Sequence, residues 1–199
     1  MQIIVYIESS KPAPIDAPPD SIRLIDILNV SSSEVQEMLN ALSLFPNATS
    51  FMFYCCDFTT MNWLSEFPQL TELVISDCTR VHDLHFLSKL PKLAEVHLID
   101  LTIDSLEPIR DHPTLKQVCV PWCRVPSINA LESIECLERV IMPELFGGDV
   151  TCLKHVQEVL FRCPCYYLTA DGQRIKLSAA SRRYTGEQIL ERAADRSII

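Results

Sequence analysis

The sequence predicts an α/β solenoid: short strands stacked into one parallel, concave sheet, with short 3₁₀ or helical segments on the convex side. Three observations predict it. An apolar register of the form L-x-x-L-x-L-x-x-(N/C/L) begins at Ala48, Leu70, Leu93, Leu115 and Leu137, at spacings of 22, 23, 22 and 22 residues. Pro46, Pro68, Pro91 and Pro113 stand just before the first four copies. Between copies, apolar pairs recur three residues apart: Leu84 with Leu87, Leu106 with Ile109, and Ile128 with Leu131.

Each element has its own reason. At the N-terminus, Ile3, Val5 and Ile7 alternate within Met1–Glu8, which is the period of a strand. Pro12, Pro14, Pro18 and Pro19 then enforce a loop. A weaker copy of the register lies at Ile22, Ile25, Ile27 and Val30, 26 residues before Ala48. Ser31 and Glu34 form a capping-box pattern, which opens a helix with Val35, Met38, Leu39 and Leu42 on one face. This helix is expected to cap the open end of the core.

In the central copies the strand residues alternate inward and outward: Phe51 and Phe53, Leu73 and Ile75, Val96 and Leu98, Val118 and Val120, Val140 and Met142 point inward. One such strand cannot bury its apolar edge alone, whereas a stack of them shares one core. The ninth position holds Cys56, Cys78, Leu101, Cys123 and Leu145. Cysteine is small, apolar and a weak donor, so it suits the tight turn beneath a strand. The apolar pairs between copies suit single 3₁₀ turns. Each proline stops such a turn and pushes its predecessor to extended geometry.

A shortened copy follows at Val156, Val159 and Phe161, 19 residues after Leu137, with Gly147 and Gly148 relaxing the shortened repeat. The segment CYYLTADGQRIKL alternates about Asp171-Gly172, a hairpin signal. Residues 185–194 read as a helix. The expected organisation is therefore 1–44 as strand, loop and capping helix, 45–162 as repeats, and 163–199 as hairpin and tail.

On these residues the chain resembles the leucine-rich repeat family, in its short, 22-residue SDS22-like or internalin-like form. The resemblance covers roughly Ile22 to Phe161. It implies a solenoid that works as a non-enzymatic protein-interaction module and binds on its concave face. One departure is clear: no repeat has Asn at the ninth position, so the asparagine ladder of the family is replaced by Cys or Leu.

Charge narrows the partners. The 199 residues carry 17 basic and 26 acidic side chains, a net charge of −9. Residues from Asp171 on carry six and four of these, which leaves 11 basic against 22 acidic in the body. Phosphate backbones are bound by Lys and Arg, so nucleic acid is excluded and a basic protein partner is favoured. No apolar run approaches the ~20 residues of a membrane span, and the N-terminus lacks the pattern of a secretory leader. Nine cysteines, an odd number, in a chain able to build its own core indicate a reduced, cytoplasmic protein rather than a disulfide framework. With only four glycines, no phosphate loop or dinucleotide fingerprint can be drawn, and no cofactor is expected.

The register also lists the residues on the concave face. The third position gives Ser50, Glu72, Glu95, Gln117, Arg139 and Glu158; the fifth gives Met52, Val74, His97, Cys119, Ile141 and Leu160. The seventh and eighth give Tyr54, Ser76, Asp77, Ile99, Asp100, Trp122 and Glu144. The fifth row is a largely apolar stripe expected to face solvent, edged by acidic and aromatic groups, as in a protein-binding groove. The expected partner-binding set is Met52, Tyr54, Glu72, Val74, Asp77, Glu95, His97, Asp100, Cys119, Trp122, Arg139, Ile141 and Glu144. The alternatives are that the C-terminal segment or a second copy of the chain covers the stripe, or that the chain is a structural subunit of a larger assembly.

Two chemical roles compete with plain packing for some of these residues. His97 and Cys119 occupy equivalent places on adjacent strands, about 5 Å apart, which is the outline of a nucleophile pair. A flat sheet supplies no oxyanion hole, so catalysis is set aside. Cys152-x-x-His155 with Cys163-x-Cys165 offers four zinc ligands at a spacing that matches no known knuckle, so metal is set aside too.

Overall fold

A computed structural model describes residues 4–8, 11–12, 17–143, 151–162, 166–168, 174–176, 182–185 and 187–188. The repeats fold as the periodicity requires. Strands β1 (Ile4–Glu8), β2 (Lys11–Pro12), β3 (Leu24–Leu28), β4 (Ser50–Tyr54), β5 (Glu72–Ser76), β6 (Glu95–Ile99), β7 (Gln117–Cys119), β8 (Arg139–Pro143) and β9 (Glu158–Arg162) belong to one sheet. With β12 (Arg182–Tyr184) it has ten strands, ordered β12-β9-β8-β7-β6-β5-β4-β3-β1-β2. From β1 through β3 to β9 every pairing is parallel, and the antiparallel β2 and β12 lie at the two ends. The predicted hairpin appears as β10 (Tyr166–Leu168) against β11 (Arg174–Lys176), outside this sheet, while Asp171 and Gly172 fall outside the described residues.

The register is strict. Glu72 pairs with Ser50 on one side and Glu95 on the other, and each pairing advances by one whole repeat. The inward rows are closed to solvent: Ile25, Phe51, Leu73, Val96, Val118, Val140 and Val159 in one, Ile27, Phe53, Ile75, Leu98, Val120 and Met142 in the other. On the convex side, 3₁₀ turns at Asn62–Glu66, His85–Lys89, Glu107–Ile109 and Asn129–Ser133 bury Leu64, Leu87, Ile109 and Leu131 against them. Near the N-terminal end the core is aromatic. Phe53 meets Phe51, Phe58 and Trp63 edge to face at centroid distances of 6.3, 5.8 and 5.6 Å. Such pairs add about 0.5–1.5 kcal/mol each beyond area burial.

The capping box is formed. Glu34 Oε2 accepts from the Ser31 amide at 3.0 Å and from its hydroxyl at 2.6 Å. The helix it opens is shorter than the pattern suggests. A 3₁₀ turn at Ser32–Glu34 leads into α1 (Val35–Leu42), which buries Met38, Ala41 and Leu42. The end of the helix is followed by Phe45, which is buried, and by Pro46, which cannot continue it.

The ninth-position cysteines do the work of the absent asparagines. The Cys56 thiol reaches the Ile27 carbonyl at 3.7 Å, Cys78 that of Phe53 at 3.9 Å and Cys123 that of Leu98 at 3.1 Å, each the sixth-position carbonyl of the preceding repeat. Cys56 and Cys78 share their thiol protons with the Tyr54 and Ser76 carbonyls of their own turns, at 3.5 and 3.4 Å. A thiol ladder thus runs beneath the sheet from Cys56 to Cys123, interrupted by Leu101. Burial pushes the Cys123 thiol up to about 11, and the Cys56 thiol beside it pushes Cys78 upward as well. Both therefore keep the proton that the ladder donates. All described cysteines are free thiols.

Candidate protein-binding face

Parallel pairing aligns every repeat, so outward residues form rows across the concave sheet. The fifth-position row is longer than the sequence reading anticipated. It runs Tyr6, Asp26, Met52, Val74, His97, Cys119, Ile141, Leu160, because β1 and β3 join the same sheet in register. Tyr6 and Asp26 are functional candidates that the reading missed. The weak copy at Ile22, Ile25, Ile27 and Val30 held the signal, since its fifth position is Asp26.

The expectation that this row lies open to solvent is corrected. Val74, Cys119 and Ile141 are only 6%, 4% and 8% exposed. Side chains on one sheet face stand about 4.8 Å from their cross-strand neighbours. These three residues are buried in the row. Met52 and His97 are half-buried, and Tyr54 stands half-buried in the adjoining row. The Tyr54 hydroxyl meets the Met52 sulfur at 3.4 Å. Burial, then the nearby Asp26 and Glu72 carboxylates, push the Tyr54 phenol above its usual range. Burial likewise raises Asp26, whose Oδ1 has no hydrogen-bond partner.

The third-position row is a polar chain. The Ser50 hydroxyl donates to Glu72 Oε2 at 2.7 Å. The Gln117 amide donates to Glu95 Oε2 at 3.4 Å and to His97 Nε2 at 3.0 Å. Arg139 donates from Nη1 to Gln117 Oε1 at 2.9 Å and pairs through Nε with Glu158. His97 is thus engaged through Nε2 with Gln117, and Cys119 beside it is buried. Near the same row, a polar depression of about 380 Å³ opens between Lys116, Glu138, Arg139 and Glu158.

The eighth-position row carries a feature that periodicity cannot reveal. Asn29, Cys55, Asp77, Asp100 and Trp122 all have left-handed backbone, with φ of 54°, 53°, 55°, 55° and 59°. The turn imposes it. In this conformation the amides of Asn29, Cys55, Asp77 and Asp100 reach the seventh-position carbonyls of the next repeat, at 3.0, 3.0, 3.1 and 3.4 Å. Asn and Asp tolerate such a φ, while for a bulky residue it costs roughly 1–2 kcal/mol. Trp122 is the bulky case, and it is 40% exposed. Asp77 and Asp100 in the same row are exposed as well.

Of the expected contact residues, Glu95 and Arg139 are exposed and Glu72 is half-buried, whereas Glu144 lies outside the described residues. Of the four residues of the zinc reading, Cys152 is buried, and the His155 Nε2 meets the Ile134 carbonyl at 3.2 Å. Cys163 and Cys165 lie outside the described residues. Among those residues no helix is long and apolar enough to cross a membrane.

Solved internalins of Listeria monocytogenes share this architecture. InlF superposes with a TM-score of 0.54 at 14% identity, over 70% of this chain and 41% of its own. The functional domain of InlJ, which includes a cysteine ladder, superposes with a TM-score of 0.52 at 13% identity, over 72% of this chain and 30% of its own. The chain spans less than half the length of either internalin chain. No family model matches the chain, and no curated protein matches it in sequence. The fold is an open leucine-rich repeat solenoid of the internalin-like kind.

Proposed function

We propose that the chain is a non-enzymatic interaction module that binds a basic protein segment across its concave face and the rim of eighth-position residues beside it. One observation carries this reading. Trp122 is held at a φ that disfavours a bulky residue, in a turn where four other repeats place Asn, Cys or Asp, and it remains exposed. The left-handed backbone there works against a tryptophan. A binding surface gains from one, because a rigid aromatic anchor commonly contributes about 2 kcal/mol or more to an interface.

The rest of the face suits the same partner. Asp77 and Asp100 continue the Trp122 row, so a Lys or Arg side chain meets carboxylates at one end and an indole face at the other. Tyr54, Met52, His97, Glu72, Glu95 and Arg139 complete the contact surface, over a floor of Val74, Cys119 and Ile141. The net charge of −9 steers a basic partner and makes association fall with salt.

The test uses Trp122→Asn, which suits a left-handed backbone and removes only the aromatic group. Wild type and variant are immobilised and exposed to extract from the native source, and captured proteins are identified by mass spectrometry. A basic protein held by wild type and lost from the folded variant supports the concave-rim reading. Equal capture by both removes it and favours the assembly-subunit alternative, in which other surfaces are buried.

A further inference from the structure

The parallel register sets Glu72 and Glu95 side by side on β5 and β6, with His97 two residues along the same face of β6. One carboxylate oxygen from each glutamate and an imidazole nitrogen all lie within 4.8 Å of one another. Glu95 Oε2 and His97 Nε2 are 3.7 Å apart. Around a tetrahedral zinc with bonds of ~2.0–2.1 Å, neighbouring ligand atoms stand ~3.4 Å apart. The Glu95–His97 pair is already near that spacing, and a small side-chain rotation brings Glu72 to it.

The imidazole presents the correct atom. Arg139 has only donors, so its contact with Gln117 Oε1 fixes the amide with its NH₂ toward His97 and Glu95. That NH₂ donates, so His97 Nε2 receives it with a lone pair and the ring proton sits on Nδ1. This is the tautomer that ligates a metal through Nε2. An incoming ion takes the lone pair and the Glu95 oxygen that the Gln117 amide now occupies.

Electrostatics point the same way. Two carboxylates directly opposed on neighbouring strands repel. Among the described residues neither forms an ion pair with Lys or Arg; Glu72 accepts from Ser50 and Glu95 from Gln117. A divalent cation between them removes the repulsion. Mg²⁺ and Ca²⁺ prefer all-oxygen shells, whereas imidazole with carboxylates suits zinc and its first-row neighbours. We infer that Glu72, Glu95 and His97 form a binding site for one divalent transition ion of the zinc class, open to solvent on the concave face. The remaining coordination positions are left to water. The inference does not depend on the protein-binding reading.

The experiment uses the full chain, stripped with chelator and titrated with Zn²⁺ by calorimetry and with Co²⁺ by visible absorption. One Zn²⁺ per chain is expected, together with the d–d bands of low-coordinate Co²⁺. Glu72→Gln and His97→Gln, both at solvent-accessible sites, are each expected to weaken the Zn²⁺ Kd about tenfold or more and to lose the Co²⁺ bands. Circular dichroism checks that the variants fold. His85→Gln, an exposed histidine on the convex side, is expected to bind as wild type. No stoichiometric uptake by wild type overturns the site. So does uptake that survives both substitutions, which places the ion on thiols elsewhere.

Discussion

Asp77 and Cys78 are consecutive residues of one turn, and different constraints chose them. Cys78 belongs to the inward row with Cys56 and Cys123, sealed from solvent and bonded to the repeat before it. Asp77 belongs to the outward row with Asn29, Cys55, Asp100 and Trp122, which shares a backbone conformation but no side-chain chemistry. Packing fixes the first row closely, because a side chain there must fill one small space and satisfy one carbonyl. The second row is fixed only in its backbone. On the proposed reading its side chains are the ones that meet a partner.

The contrast can be tested at four strengths. Phe53, inward and in contact with three aromatic rings, should lose about 3–5 kcal/mol on substitution by Ala, read by urea denaturation. A loss below about 1 kcal/mol would show that the inward rows do not carry the stability. In the outward row the backbone is the only constraint. Asp100→Val should cost about 1–2 kcal/mol because a β-branched residue resists the left-handed turn. Asp100→Gly should cost none of that; equal losses would mean the carboxylate itself matters.

A weaker effect is expected at Asp26, where burial raises the carboxyl. The folded state favours its neutral form. Wild-type stability from this group is therefore present below the unfolded carboxyl value, near pH 3.9, and is lost as pH rises through the raised folded value. Asp26→Asn should raise the melting temperature at pH 7, and the gain should fade toward pH 3.5. The smallest stability effect belongs to Trp122→Asn, within about 1 kcal/mol of wild type by the same denaturation assay, although its effect on binding should be large.

Inward features were legible in the sequence because each leaves a periodic trace. Leu73 and Ile75 recur as Val96 and Leu98, and the capping box at Ser31 and Glu34 is a local pattern. So is the fit of cysteine to the turn, which the thiol ladder bears out. The outward features left weaker traces. The burial of Val74, Cys119 and Ile141 depends on what packs against the strand face in three dimensions, which no spacing records. The left-handed φ of Trp122 was hidden because the residue types in that row do not repeat. Asp26 was missed because its copy begins 26 residues before the next and breaks the period. Glu72, Glu95 and His97 were each placed on the face, but their convergence emerges only when two rows are seen together.

The two antiparallel strands at the ends of the sheet break its polarity. Every coil from β3 to β9 offers its neighbour the same parallel edge. At β2 and at β12 the chain reverses direction, so the outermost strands of the described sheet offer an edge of the opposite sense. A strand running in the sense of the coils would meet either edge antiparallel.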